Sequence, residues 1–175
     1  MKFKKFGCVI LIISVSVVVL IVAFCIGRAI LKQDDIPFMS DYGLDFSTNS
    51  GSEARERLGS PDSILEYPEE EHIYYTYFKP VFGKDAKVKL VTNMHTDYFS
   101  QVLVTWQFDS EQDADEWYED VKHQISKDYY VPWIFREEGE NSMLDGSKSW
   151  ACSFGALYFY VHNRGTEVTY SAIDF

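Results

Sequence analysis

The chain has 175 residues, of which 16 are Lys or Arg and 27 are Asp or Glu, and its formal net charge is −11 at pH 7. All 27 acidic residues lie from Asp34 onward together with 11 of the basic residues, so this part has a formal charge of −16. This charge argues against binding nucleic acid or an anionic lipid surface by electrostatic attraction, and it leaves a cationic partner open.

The first predicted element is an uncharged segment, residues 6–27, with the sequence FGCVILIISVSVVVLIVAFCIG. As a helix it would be about 33 Å long, which matches a hydrocarbon layer of roughly 30 Å. A cleaved export signal is usually shorter and ends in small residues, whereas this segment ends in bulky ones, Phe24 and Ile26. A lipoprotein signal needs a small residue before the modified cysteine, but Phe24 precedes Cys25. We therefore predict a transmembrane anchor that is retained, with cleavage and lipidation as the alternatives.

Charges on either side of this segment predict its orientation. Lys2, Lys4 and Lys5 precede it, and Arg28 and Lys32 follow it. Because cytoplasmic flanks carry the excess of positive charge, residues 1–5 are predicted to be a cytoplasmic tail and the carboxyl-terminal part to be extracytoplasmic.

The cysteine content agrees with export, and the absence of a glycosylation acceptor favours a bacterial envelope. Cys8 and Cys25 lie in the apolar segment and Cys152 is alone in the remainder, so no disulfide can form within that part. It also lacks an Asn-x-Ser/Thr glycosylation acceptor. We predict a single-pass protein of the bacterial plasma membrane.

Residues 28–52 are polar and rich in turn-forming residues, and they are predicted to be a tether to one domain, residues 53–175. The domain begins with EARERLG, a short helix capped by Ser50 or Ser52 and ended by Gly59. HIYYTYFK, residues 72–79, is predicted to be a strand that stops at Pro80, and KVKLV, residues 87–91, is predicted to be another.

The next two segments have clear periodicity. FSQVLVTWQF is predicted to be a strand whose buried face carries every second residue, Val102, Val104, Trp106 and Phe108. DSEQDADEWYEDVKHQI is predicted to be a helix, with a cap formed by Ser110 and Asp113 and a buried face of Ala114, Trp117, Val121 and Ile125. Trp117 is expected to pack on Val104 or Trp106.

The remaining segments complete the predicted fold. YYVPWIF contains Pro132 and is predicted to be an edge strand or an irregular extended piece, and REEGENSMLDGS is predicted to be a loop. The last 27 residues divide into two β-rich runs at Asn163, Arg164 and Gly165, which predicts a terminal hairpin. This order of elements predicts an α+β fold, an antiparallel sheet with helices packed on one face.

The stretch SEARERLGSPDSI followed by IYYTY resembles the opening of the SmpA/OmlA (BamE-like) family, in which a short helix ends in Leu-Gly-x-Pro and leads into an aromatic strand. The matching residues are Leu58, Gly59, Pro61, Tyr75 and Tyr77, within residues 52–77. Members of that family are lipoproteins with a small domain, whereas here Cys25 lacks a lipobox and a further helix and hairpin follow. The resemblance implies an envelope scaffold that binds other proteins and has no enzymatic role.

Catalytic patterns are weak in this sequence. Cys152 and His162 could form a thiol–imidazole pair, but ten residues of one extended strand would separate them by about 33 Å. The sequence has no Gly-x-Ser-x-Gly elbow, phosphate-binding glycine loop or Cys-x-x-Cys pair. We predict no enzymatic activity and no cofactor.

Two sets of residues are metal-ligand candidates. Glu116, Asp120 and His123 have the spacing of one helix side, and Glu69, Glu70 and Glu71 directly precede His72. Carboxylates with one imidazole can bind a divalent cation loosely. A solvated acidic helix face gives the same pattern, so no metal site is predicted.

Two other sets are candidates for a binding surface. Tyr158 and Tyr160 share a strand face with His162, and Tyr170 is expected to stand across the strand pair, so that these tyrosines could bind sugars, peptides or another subunit. Glu111, Asp115 and Glu119 could form an acidic patch on the helix.

The leading hypothesis is therefore an extracytoplasmic envelope domain that binds another macromolecule, an envelope protein or a cationic partner, and carries out no reaction. The alternatives are a small metal-dependent hydrolase that uses an acidic/His cluster, and an acidic inhibitor or immunity module.

Overall fold

A computed structural model describes residues 19, 36–46, 50–129, 136–141, 147–154 and 157–174. The chain divides into two units, Met1–Lys32 and Gln33–Phe175. Of the first unit only Val19 is described, in a helical conformation. No helix among the described residues is both long and apolar enough to cross a membrane. Apart from Val19, the predicted tail and anchor lie outside the described residues.

Among its described residues, the second unit contains a short 3-10 helix, two α-helices and eight strands. Their bounds are Ser40–Tyr42 for the 3-10 helix, α1 Gly51–Leu58, β1 Ser63–Tyr67, β2 His72–Val81, β3 Lys84–Asn93, β4 Phe99–Gln107, α2 Glu111–Tyr129, β5 Arg136–Asn141, β6 Ser147–Phe154, β7 Leu157–Arg164 and β8 Glu167–Asp174. The strands form one sheet in the order β1-β2-β3-β4-β8-β7-β6-β5, and every neighbouring pair is antiparallel. The predicted α+β class is confirmed.

We call the side of the sheet that packs against α2 the core face. On β4, Val102, Val104 and Trp106 are at most 1% exposed, whereas the alternating residues are partly exposed. The rings of Trp106 and Trp117 lie 5.6 Å apart, edge to face. The predicted face of α2 is also buried, with Ala114, Val121 and Ile125 at 0% exposure. The alternation of β4 and the helical period of α2 therefore predicted the centre of this fold correctly.

Ser50 caps α1, so one of the two predicted caps is confirmed. Its hydroxyl accepts a hydrogen bond from the Glu53 amide at 3.3 Å, and the Glu53 carboxylate accepts one from the Ser50 amide at 3.0 Å. Gly59 ends the helix with φ 86°, a backbone angle that disfavours residues with a Cβ atom. Ala54 and Leu58 are buried, so this capping box fixes a helix that belongs to the core.

We expect Ser50→Ala to lower the free energy of unfolding by about 1 kcal/mol, because the Glu53 amide loses its side-chain acceptor. Denaturation of the full-length protein with guanidinium would measure the change. Ser60→Ala is the control, since Ser60 is exposed and lies beyond the helix. Equal losses in the two variants would contradict a specific role of the cap.

The predicted tether is wrong for residues 36–46, which are part of the domain. Their five buried apolar side chains belong to the core: Ile36, Phe38, Met39, Leu44 and Phe46. The segment turns through a 3-10 helix that ends at Gly43, whose carbonyl accepts a hydrogen bond from Arg57 of α1. Irregular backbone of this kind has neither helix nor strand periodicity, so its scattered apolar residues gave no sequence signal.

The hairpins at the start of the sheet differ from the prediction in two respects. β1 was not predicted, and β2 continues through Pro80 to Val81. β1 pairs with β2 only as far as Thr76, so one side of β2 is not paired to β1 at Pro80, where a residue without an N–H group is tolerated. Phe82 and Gly83, with φ of 52° and 81°, form the two-residue turn into β3.

The second half of the sheet contains more strands than predicted. The predicted loop contains β5, which pairs with β6. The β-rich run before Asn163 is two strands, β6 and β7, rather than one. The predicted hairpin turn is confirmed between Arg164 and Glu167, where β7 pairs with β8. YYVPWIF lies outside the described residues except for Tyr129, the last residue of α2.

Candidate binding surface

We call the side of the sheet opposite the core face the open face. One row of laterally paired residues crosses it through seven strands: Ser63, Thr76, Lys89, Leu103, Ser171, Tyr160 and Ala151. Thr76, Ser171 and Ala151 are buried between their neighbours. Lys89, Leu103 and Tyr160 remain partly exposed, and Ser63, on the edge strand, is exposed. The open face therefore presents an aromatic and polar surface that includes two of the predicted binding residues.

Tyr158, Tyr160 and His162 share the open face on β7, and each is half-buried. The Tyr160 hydroxyl and His162 Nδ1 are 3.3 Å apart, within hydrogen-bond distance, and the two rings stack with centroids 5.9 Å apart. Burial and the nearby Arg164 lower the pKa of His162 below its ordinary value of 6.5. The imidazole is therefore neutral at pH 7 and can accept or donate a hydrogen bond there.

Tyr170 does not join this surface, so the expectation that it is an exposed binding residue is wrong. It pairs with Val104 and Val161 on the core face, is 0% exposed, and stacks on Phe159 with ring centroids 6.2 Å apart. The two-residue turn pairs even positions of β7 with odd positions of β8, which places Tyr170 on the face opposite Tyr160. Burial raises the pKa of Tyr170 well above 10.

The predicted acidic patch on α2 is largely occupied by intramolecular pairs. Asp115 accepts from Lys148 Nζ at 2.7 Å and from Asn163 Nδ2 at 2.6 Å. Glu119 is paired with Lys122 at 3.1 Å. Glu111 is exposed at the start of the helix. The patch therefore links the helix to the sheet in addition to facing solvent.

All the metal-ligand candidates are exposed except His72, which is partly buried. Glu116, Asp120 and His123 lie on the solvent side of α2, where the Glu116 carboxylate accepts from Gln112 Nε2 at 3.1 Å. In the other set, Glu70 accepts from the Tyr74 hydroxyl and Glu71 lies 3.6 Å from His95. Within the part of the chain that the structure describes, no three His, Cys, Asp or Glu side chains form a group that could hold a metal ion.

The thiol–imidazole candidates lie on neighbouring strands rather than on one strand. Cys152 pairs with Phe159, and His162 pairs with Ser149. Cys152 is buried on the core face and His162 is on the open face. The sheet itself separates the two side chains, which gives a different reason for the same conclusion that they do not act together.

A pocket at the β1 end of the open face was not predicted. It is open to solvent, has a volume of about 240 Å³, and is lined by Leu65, Tyr67, Glu70, Tyr74 and Lys89. The Tyr67 and Tyr74 rings meet edge to face with centroids 5.0 Å apart, and the Tyr74 hydroxyl donates to Glu70 at 3.2 Å. The pKa of Tyr74 is raised above 10, mainly because the ring is partly buried and secondly because of the Glu70 carboxylate.

A sequence signal for this pocket existed but was overlooked. SILEY is a run that contains three apolar or aromatic residues and is followed by Pro68, which is typical of a short strand before a turn. Pairing this run with HIYYTY places Tyr67 opposite His72 and Leu65 opposite Tyr74.

No family model, curated protein or solved structure matches this chain.

Proposed function

We propose that this protein is held in the bacterial plasma membrane by residues 6–27, with its amino terminus inside, and that its extracytoplasmic domain binds another macromolecule without catalysis. The resemblance of residues 52–77 to the SmpA/OmlA family agrees with such a scaffold role. The partner is an envelope protein or a cationic molecule, and the formal charge of −16 on the residues from Asp34 onward favours attraction to a cationic one.

The observation that carries this proposal is the composition of the open face. The core face is packed against α2, whereas the open face leaves tyrosine, leucine and lysine side chains partly exposed, among them Tyr160, Leu103 and Lys89. Phe78, on the same face, is 63% exposed. Aromatic side chains with hydroxyl groups combine apolar contact with hydrogen bonding, which suits binding to a protein or glycan surface.

The alternative functions have less support. An inhibitor or immunity module would need its acidic patch free, but Asp115 and Glu119 are engaged within the domain. A metal-dependent hydrolase would use the acidic/His cluster at His72 or at His123. Among the described residues neither cluster forms a group of three side chains that could hold a metal ion.

We expect a photo-crosslinking amino acid at Leu103 or Tyr160 to capture a partner in native membranes, because both positions lie on the open face. The full-length protein would be used, and mass spectrometry would identify the adducts. The matched control places the same amino acid at Gln124, an exposed position of α2. Equal capture at all three positions, or capture at none, would remove the open face as the binding site.

The same preparation tests the membrane anchor. Mass spectrometry of the amino-terminal peptide should recover residues that precede Arg28, and a protease added outside the cytoplasm should degrade the carboxyl-terminal domain. A mature protein that starts beyond Arg28, or a domain degraded only after the cells are opened, would contradict the proposed anchor and its orientation.

A further inference from the structure

β1 is an edge strand whose side chains are all exposed. It pairs with β2 on one side, and no other strand of the described residues pairs with it on the other side. Ile64, Leu65 and Tyr67 are 46%, 50% and 44% exposed. An unpaired edge offers a row of free backbone N–H and C=O groups, and proteins usually protect such edges with charge, proline or a covering element. Glu66 is the only charged residue within β1.

The opposite edge of the sheet differs in composition. β5 has the sequence REEGEN, in which four of six residues are charged, whereas SILEY in β1 has three large apolar or aromatic residues of five. Charged edges resist strand addition, and apolar edges favour it. The two edges of one sheet therefore differ in the way expected if only β1 accepts another strand.

Charge indicates what kind of strand would fit β1. The turn after β1 contains Glu69, Glu70 and Glu71, all exposed, and Asp62 is exposed at the other end of the strand. An antiparallel second copy would place Asp62 of one chain beside the acidic turn of the other, which is unfavourable. A strand with basic side chains would be attracted at both ends.

We propose that β1 binds an extended basic segment of a partner protein by strand addition, with the side chains on one face of that segment seated in the pocket of Leu65, Tyr67 and Tyr74. This inference rests on the proposed binding function and names the chemistry of the partner. Main-chain hydrogen bonds to β1 supply affinity, and the pocket supplies selectivity. Five residues of β1 span about 17 Å, which accommodates a partner segment of similar length.

The pocket lies on the open face, so it would meet every second side chain of an added strand. Side chains on one face of an added strand would lie beside Leu65 and Tyr67, within reach of the Glu70 carboxylate. The tyrosine rings offer apolar contact and a favourable surface for a cation. Lys89 lines the pocket from β3, the side away from the sheet edge. Its positive charge would repel a cationic group of the bound strand toward the acidic turn of Glu69, Glu70 and Glu71.

The test uses the full-length protein and a fluorescent seven-residue peptide of alternating lysine and valine, with binding measured by fluorescence anisotropy. The same peptide methylated at every internal amide nitrogen retains its charge but cannot donate main-chain hydrogen bonds. We expect saturable binding of the first peptide and loss of binding for the second. A peptide with glutamate in place of lysine should also fail to bind.

A pair of matched variants separates specific from general electrostatic attraction. Glu69→Gln with Glu70→Gln should weaken binding of the lysine peptide about fivefold at low salt, because two exposed charges near the strand are removed. Glu116→Gln with Asp120→Asn makes the same change in net charge on α2 and should leave the affinity unchanged. Equal weakening in both variants, or binding that survives amide methylation, would overturn strand addition.

Two further outcomes keep this inference distinct from the proposed function. A dimer in sedimentation that is lost in Leu65→Lys would show that a second copy occupies β1, which would overturn the basic partner. Crosslinking in native membranes from Leu103 or Tyr160 but not from Ile64 would support the open face as a binding surface and refute β1 as the docking strand.

Discussion

Replacing Trp106 by alanine is expected to lower the free energy of unfolding by about 3–5 kcal/mol, the range typical of large aromatic side chains removed from a core. Trp106 is 1% exposed. Its ring meets that of Trp117 of α2 edge to face, with ring centroids 5.6 Å apart, and it stacks on the Phe82 ring with centroids 6.3 Å apart. One substitution thus removes one of the contacts between α2 and the sheet and also a packing partner of Phe82 in the β2–β3 turn. Against a total stability of about 5–15 kcal/mol for a typical domain, the loss would be severe.

Guanidinium denaturation of the full-length protein, followed by circular dichroism, would measure this loss. Phe78→Ala is the control, since that side chain is 63% exposed, and its effect should be within about 0.5 kcal/mol. Trp106→Phe should cost less than Trp106→Ala, because it retains a ring and removes an indole N–H that has no hydrogen-bond partner among the described residues. A loss below about 1 kcal/mol for Trp106→Ala would contradict a central role of this side chain.

The sequence predicted the elements whose period is tied to burial. β4 is paired on both sides and packs one face on α2, so its alternate residues had to be apolar, and the alternation was visible. The same holds for α2, where burial of one side enforces helical spacing of Ala114, Val121 and Ile125. The contact between Trp106 and Trp117 followed from placing these two buried faces together.

The missed elements have no such constraint. β5 is held in the sheet by main-chain pairing with β6 at an edge, so its sequence could remain polar and predicts a loop. Residues 36–46 bury five apolar side chains in a segment that contains only one short 3-10 helix, and no period marks them. Burial and periodicity are separate properties, and the sequence shows mainly the second.

The binding surface was harder to predict than the core because its residues come together only through strand register. Tyr67 and Tyr74 meet because β1 pairs with β2, and Lys89 joins them from β3. Tyr170 was misplaced for the same reason, since a one-residue difference in register moves a side chain to the other face. Tyr158 and Tyr160 were placed together correctly because they alternate on one strand.

Asp115→Ala is expected to lower the free energy of unfolding by about 1–3 kcal/mol, because it leaves a buried amide without its acceptor. Asn163 is 4% exposed, and its Nδ2 donates to Asp115 at 2.6 Å. Lys148 Nζ donates to the other carboxylate oxygen at 2.7 Å. One carboxylate thus joins α2 to β6 and β7, and thermal or guanidinium unfolding would measure its contribution.

Glu119→Ala is the matched control on the same helix. The Glu119 carboxylate is 64% exposed and pairs with Lys122 three residues on, so its loss should cost less than about 0.5 kcal/mol. Asp115→Asn should fall between the two, since an amide oxygen can still accept from Asn163. Similar losses for Asp115→Ala and Glu119→Ala would mean that the contact with Asn163 contributes little. If Asp115→Ala loses more free energy of unfolding than Glu119→Ala, an Asp115 variant is less completely folded. Weaker partner binding by that variant must then be corrected for the unfolded fraction before it is attributed to loss of an acidic surface.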